Sequence, residues 1–341
     1  MLTNRERIQS LAEKRHLPQE DWRTLFATWT EEDRRFAANL ACAEAVRQFQ
    51  RKIFLRGLLE ISNICKNDCY YCGIRRSNRQ CHRYRLTDDE IVEAADSACK
   101  QGYRTVVMQG GEDTAFTTER LCGIIRRMKQ AHPTCAITLS LGEREDYQEL
   151  FDAGADRYLL RHETATPAHY AMLHPQELSW QHRVDCLREL RRIGYEVGCG
   201  FMVGSPFQTV EHLAAEMAFL EEMRPDMVGL GPFIPHAQTP FADKPAGSAE
   251  LTLLCLSLVR LLLPTVNLPA TTALATMLPD GYQQGIFAGA NVVMPNASPA
   301  IAVENYKLYD NVHVERIPQN VLQSPLANTL ASIGYSISME K

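Results

Sequence analysis

Residues 54–72 read FLRGLLEISNICKNDCYYC, opening at Phe54 and closing at Cys72. The first half, 54–61, is a short apolar run of strand character. The second half places Cys65, Cys69 and Cys72 directly behind that strand in a CxxxCxxC spacing. Outward from this stretch the same alternation recurs. Strand-like runs at 104–109, 136–141, 157–160, 196–202, 227–230, 268–271 and 291–294 are separated by amphipathic stretches at 88–101, 118–131, 146–153, 181–193, 210–223 and 249–263. Gly102, Gly154, Gly194 and Gly289 stand where helices end ahead of the next strand. Units of about 30 residues are the period of a βα repeat and call for a parallel sheet. The pattern predicts an α/β fold, a (β/α)8 barrel of the TIM type. A doubly wound open sheet is the rival, although no GxGxxG opens the first helix. Residues 1–52 read as an N-terminal helical extension, with Thr30 as N-cap before Glu31 and Glu32. Residues 53–300 read as the barrel and 301–341 as a short appendage packed on it. The stretch 235–248 reads as a long loop after the sixth strand.

Composition agrees with one large folded unit. The 341 residues carry 36 Lys+Arg against 41 Asp+Glu, with 45% hydrophobic and 23% charged residues. That balance excludes a disordered chain, a collagen and a coiled coil. A formal charge of −5 gives no reason to expect nucleic acid or an anionic membrane as partner. The start, MLTNRERIQSLAEKR, has no apolar signal region. The longest apolar stretch, LTLLCLSLVRLLLP, is too short to span a membrane and carries Arg260. The expectation is a cytoplasmic protein with reduced thiols. Its odd count of 11 cysteines then points to metal or catalysis before disulfides. Cys42, Cys99, Cys122, Cys135, Cys186 and Cys255 sit in helix or core stretches and read as small buried hydrophobes.

Three thiolates within eight residues can wrap one inorganic cluster. In a four-iron cubane they leave one iron open to a substrate or cofactor. Structural zinc prefers four closed ligands, and Cys81 and His82 are the nearest further candidates. Ferredoxin-type clusters take four cysteines. Polar residues also gather at the other strand ends, where barrel chemistry belongs. Gln109-Gly110-Gly111-Glu112-Asp113 offers close backbone approach, or an ordinary turn whose acid caps a helix. Thr138 and Ser140 share one strand face. Arg161-His162-Glu163-Thr164 places three ionisable residues after an apolar strand, either at the mouth of a site or in a surface cluster. Arg183 can grip a carboxylate bidentately. Met202 offers a soft apolar surface for a flat ring, and Cys199 reads as buried. Thr271 and Thr272 can hold a carboxylate. Arg75, Arg76, Arg79, Arg83 and Arg85 form a run that reads as a solvated loop face, or as charge that stabilises an anionic cluster or screens a partner surface.

The triplet, with aromatic Tyr71 before its last cysteine, resembles the radical S-adenosylmethionine (SAM) enzymes. The resemblance implies a 4Fe-4S cluster on Cys65, Cys69 and Cys72, whose open iron chelates SAM. One electron then cleaves the sulfonium to give methionine and a 5′-deoxyadenosyl radical. A narrower resemblance, to the HydE-type maturases of FeFe-hydrogenase, rests on EISNICKNDCYYCGIRRSN, RYRLT, SLGE, GADRYLLRHETATP, DMVGLGPFIPHAQTP, PATTA and GANVVMPN. It implies SAM contacts at Gly110, Gly111, Glu112, Thr138, Glu163, Arg183 and Met202, with Tyr71 and Ser140 beside them. It also implies a substrate cavity in which Arg161, Thr271 and Thr272 hold an amino-acid-like carboxylate. The implied substrate is a small iron complex, a cysteine-bound iron carbonyl-cyanide made by a partner radical SAM maturase. The implied electron donor is of flavodoxin or ferredoxin type. Two departures stand out. No cysteine follows Cys255, so one cluster is expected where many members carry a second. Gly204-Ser-Pro-Phe-Gln-Thr209 replaces the family's Gly-Leu-Pro-Gly-Gln-Thr turn. The alternatives are a methylornithine synthase or biotin synthase type of radical SAM enzyme and, from a different class, a non-catalytic iron–sulfur scaffold.

Overall fold

The computed structural model describes residues 2–312, 322 and 324–340. The strands are β1 (Lys52–Leu55), β2 (Gly57–Ser62), β3 (Thr105–Gly110), β4 (Ala136–Ser140), β5 (Arg157–Leu159), β6 (Glu196–Cys199), β7 (Met202–Val203), β8 (Met227–Val228), β9 (Gly231–Pro232), β10 (Val292–Val293) and β11 (Ser336–Ser338). The opening run at 54–61 folds as two halves of one path, β1 and β2, which change partner at Arg56. β1 pairs with β10, and β2 begins a parallel sheet in the order β2-β3-β4-β5-β6-β8.

Three isolated parallel bridges carry the pairing onward. Met227 meets Asn267, Pro269 meets Val292 of β10, and Asn296 meets Leu58 of β2. Parallel pairing therefore passes around eight chain segments and returns to its start, which an open doubly wound sheet cannot do. The seventh member, predicted at 268–271, makes bridges but no regular strand. Pro269 lacks the N–H that a ladder needs, while Ala270 N–H still reaches Val292 O at 2.9 Å. The fifth and sixth members break after Cys199 and Val228. There the backbones close on each other: a Cβ on Gly200 would stand 2.0 Å from Gly229 O.

Helices alternate with the strands as the periodicity requires. Thr30 and Asp33 form a reciprocal capping box at the start of helix Glu31–Phe49. That helix packs on Ala249–Leu262, and Gln19–Thr28 packs on Val210–Met223, so the first fifty residues cover the outer wall. Helix Ala249–Leu262 is buried nearly all round. Its Arg260 is satisfied by the carbonyls of Gly289, Pro264 and Val266 and by Asn291 Oδ1. Among the described residues, no helix is long and apolar enough to cross a membrane. The tail supplies helices Ala300–Asn305 and Pro325–Ser332 and strand β11, which adds to the free side of β1. The appendage assigned to 301–341 is covered only in part, because 313–321, 323 and 341 lie outside the described residues.

Candidate active site

A cavity of about 290 Å³ opens where the strands end. Its lining includes Cys65, Cys69, Tyr71, Cys72, Gly110, Gly111, Glu112, Ser140, Arg161, Glu163, Arg183, Met202 and Thr271. Residues from the loops after six different strands thus meet at one rim. Two predicted residues do not line it. Thr138 is buried in β4, two residues below Ser140 on the same face, with its Oγ1 unpartnered among the described residues. Thr272 begins helix Thr272–Met277, and Thr271 caps that helix while facing the cavity.

The cysteine loop is built by the arginines that read as a solvated run. Arg83 donates to the carbonyls of Asn63, Ile74, Arg75 and Asn78. Arg75 pairs with Asp68 at 2.7 Å, and Asp68 also accepts from Ser77 N–H at 2.9 Å. Arg85 grips Asp113 through two 2.6 Å bonds. Of the five, Arg76, Arg79 and Arg85 are exposed, while Arg75 and Arg83 are half-buried. Cys81 and His82 are not in the cavity.

The glycine turn after β3 sits directly on this loop. Gly111 N–H donates to Ser62 O, and Lys66 N–H donates to Glu112 O, both at 3.0 Å. A Cβ on Gly111 would stand 2.4 Å from Ile64 O and 2.8 Å from Cys65 Cβ. Glu112 does not cap the following helix, whose N-cap is Thr117. Its carboxylate lies over Gly142, accepts from Glu143 N–H at 3.0 Å and pairs with Lys66 at 3.1 Å. Gly142 has φ +74°, and a Cβ there would stand 2.1 Å from Glu112 Cγ. Arg183 is buried and pairs with Glu143 at 2.7 Å. Arg161 and Glu163 pair at 3.1 Å, and Arg161 Nε is buried with no hydrogen-bond partner among the described residues.

Tyr71 is fixed from behind. Burial holds His174 down to about 3, so the ring is neutral at pH 7. Its Nδ1 lies 3.0 Å from the Tyr170 carbonyl oxygen and must donate there. Nε2 is therefore an acceptor, and the Tyr71 hydroxyl donates to it at 3.1 Å. Burial also raises all three cavity thiols: Cys65 above its ordinary value, Cys69 well above it and Cys72 to about 12. As bare side chains they stay protonated, so a metal must displace three protons to bind. Among the described residues, no three His, Cys, Asp or Glu side chains come together as ligands for a single ion. The three thiols line one cavity.

The model of the radical SAM superfamily matches residues 59–220. The crystal structure of methylornithine synthase (PylB) superposes with a TM-score of 0.85 at 25% identity, covering 97% of each chain. The [FeFe] hydrogenase maturase subunit HydE of Thermotoga maritima is 42% identical over 315 residues, 90% of this chain and 88% of its own. This chain is a radical SAM enzyme of the HydE family. The 3-methylornithine synthase of Methanosarcina barkeri stands further off, at 28% identity over 88% of this chain and 85% of its own.

The radical SAM family implies a 4Fe-4S cluster and SAM, and the residues around the cavity suit that pair. Three free thiols lining one cavity suit the cluster. The Gly110-Gly111 backbone and the Glu112 carboxylate suit an ammonium group. In this HydE-family chain the tail also reaches the site, which the sequence reading missed. Tyr306, Leu308 and Tyr309 line the cavity, and Gly73 N–H donates to Leu308 O at 2.8 Å. Gln109, Phe233 and Ile234 line it as well. Gln109 and Ser140 are register partners, so the two-residue strand period was the signal that could have found it.

Proposed function

We propose that the chain cleaves SAM reductively and acts on a cysteine-bound iron carbonyl-cyanide complex during assembly of the FeFe-hydrogenase H-cluster. The observation that carries this reading is one cavity joining three cysteines, a glycine turn with a buried carboxylate, and an arginine with an unpartnered Nε. In the proposal Cys65, Cys69 and Cys72 hold a single 4Fe-4S cluster. Gly110, Gly111 and Glu112 receive the SAM ammonium. Ser140, Glu163, Arg183 and Met202 surround the rest of SAM, and Tyr71 closes it from the loop side. When bound, the pair supplies a 5′-deoxyadenosyl radical after one-electron reduction.

The chain's own residues orient and exclude. Arg161 and Thr271 hold the amino-acid carboxylate of the substrate, the guanidinium by charge and the hydroxyl by hydrogen bonding. Phe233, Tyr306 and Leu308 keep water from the reacting face. Thr138 and Thr272 lie outside this set. The proposed electron donor is a flavodoxin or ferredoxin, and the substrate comes from another radical SAM maturase. The test is anaerobic incubation with SAM, a reductant and candidate substrates, with products analysed for 5′-deoxyadenosine and its covalent adducts. A methylornithine synthase yields radical turnover with an amino acid alone. A scaffold yields no 5′-deoxyadenosine above background. Either result removes the proposal.

A further inference from the structure

The stretch Arg161-His162-Glu163-Thr164 divides between the two sides of the barrel wall. Arg161 and Glu163 line the cavity. His162 and Thr164 have no exposure and lie on the outer side, where the His162 ring packs 4.4 Å from that of Phe219 of helix Val210–Met223, tilted by 39°. Glu216, on the same helix, is also without exposure. It meets the stretch twice. Oε2 stands 2.8 Å from His162 Nε2, and Oε1 accepts from Ala165 N–H at 2.8 Å. Gly200 N–H donates to His162 Nδ1 at 3.3 Å. Nδ1 is therefore unprotonated, and the ring proton sits on Nε2, directed at Glu216.

Between these anchors stands Glu163, with φ +64°. Its N–H donates to Gly200 O at 3.0 Å. A non-glycine residue in the left-handed region is strained and persists only where its surroundings over-determine it. Here bonds at 162, 163 and 165 do so. A carboxylate with no exposure is itself unfavourable, and an apolar residue of similar size often replaces a buried ion pair without loss of stability. Packing alone does not account for Glu216.

We infer that Glu216 is a positioning residue: through His162 and Ala165 it holds Glu163 in its left-handed conformation and so aims the Arg161–Glu163 pair into the cavity. The inference rests on the proposal that Glu163 contacts SAM. Glu216→Gln tests it. One amide oxygen cannot accept from both His162 and Ala165, and the new amide N–H faces a donor. The readouts are the SAM dissociation constant of the cluster-loaded enzyme, its iron content and its melting temperature. SAM binding weakens about tenfold with unchanged iron. Glu216→Asp, which keeps both acceptor oxygens, recovers part of the affinity. A purely structural role lowers the melting temperature and leaves the dissociation constant alone, and that result overturns the inference. Should Glu216→Gln not fold, His162→Phe, whose ring cannot donate to Glu216, is measured instead. It leaves Glu216 bonded to Ala165 and must show the same loss. Glu163→Gln runs beside them. If Glu163→Gln binds SAM as wild type does, the SAM contact is wrong. If it loses affinity and the Glu216 and His162 variants do not, only the positioning role is wrong.

Discussion

Gly111→Ala probes how the cysteine loop is seated. The added Cβ would stand 2.4 Å from Ile64 O, a backbone atom that cannot rotate away, and 2.8 Å from Cys65 Cβ. Restoring an ordinary contact of 3.4 Å requires the loop and turn to part by about 1 Å. Two bonds lie across that seam, Gly111 N–H to Ser62 O and Lys66 N–H to Glu112 O, each 3.0 Å. Each is worth about 1 kcal/mol, and overpacking of this kind costs about 1–3 kcal/mol, so the variant loses about 3–5 kcal/mol. The loss falls on the seam, because the barrel's own ladders are untouched. Gly123→Ala is the control. Gly123 lies in helix Thr118–Ala131 with nothing within 4 Å of its added Cβ. Alanine there stabilises by about 0.5–1 kcal/mol. The assay is thermal unfolding together with iron per chain after anaerobic reconstitution. Gly111→Ala melts lower and holds less than about half the wild-type iron, whereas Gly123→Ala melts no lower and holds all of it. A Gly111→Ala protein with wild-type iron and wild-type SAM affinity refutes the argument.

Two further predictions address the surrounding scaffold. Arg83→Met removes four donated bonds to loop carbonyls and costs about 2–4 kcal/mol. Iron retention during dilution into chelator falls with it, and unchanged retention contradicts the scaffolding role. Burial raises the Glu60 carboxyl to about 7, from an unfolded value of 4.5. The folded state then binds the extra proton between those values, so this residue's contribution to stability falls as pH rises from about 4.5 to 7. The full effect is about 3 kcal/mol. Glu60→Gln removes the titration, and its stability relative to wild type rises across that window. A difference that is flat with pH in denaturant unfolding rejects the assignment.

Much of the barrel was legible because alternating strands and helices leave a period, and strand ends in a barrel share one rim. That logic put Gly110, Glu112 and Arg161 at the rim, where they line the cavity, whereas Arg183, on helix Trp180–Ile193, was singled out through the resemblance. The logic treated the ionisable run after the fourth strand as one group, although a two-residue period sends alternate members to opposite sides. His162 and Thr164 accordingly face outward. The seventh run, read at 268–271, makes bridges but no regular strand, because Pro269 lacks a ladder N–H. Tyr306 and Tyr309 were missed because their segment has no period of its own and is placed by contacts made to distant loops, such as Gly73 N–H to Leu308 O. The arginine run looked solvated because nothing local in sequence shows which carbonyls Arg83 will meet. Burial of Cys255 agrees with its reading as filler, and Cys199, read as buried although it might have faced a cavity, is buried as well.

The central claim is that Cys65, Cys69 and Cys72 hold one cluster on which SAM is cleaved. The most direct measurement reconstitutes wild type and the triple variant Cys65→Ala, Cys69→Ala, Cys72→Ala anaerobically, then counts iron and quantifies 5′-deoxyadenosine after reduction with SAM. The account predicts about four irons and SAM cleavage for wild type, and neither for the variant. About four irons retained by the variant, or wild type that holds iron but cleaves no SAM, contradicts it.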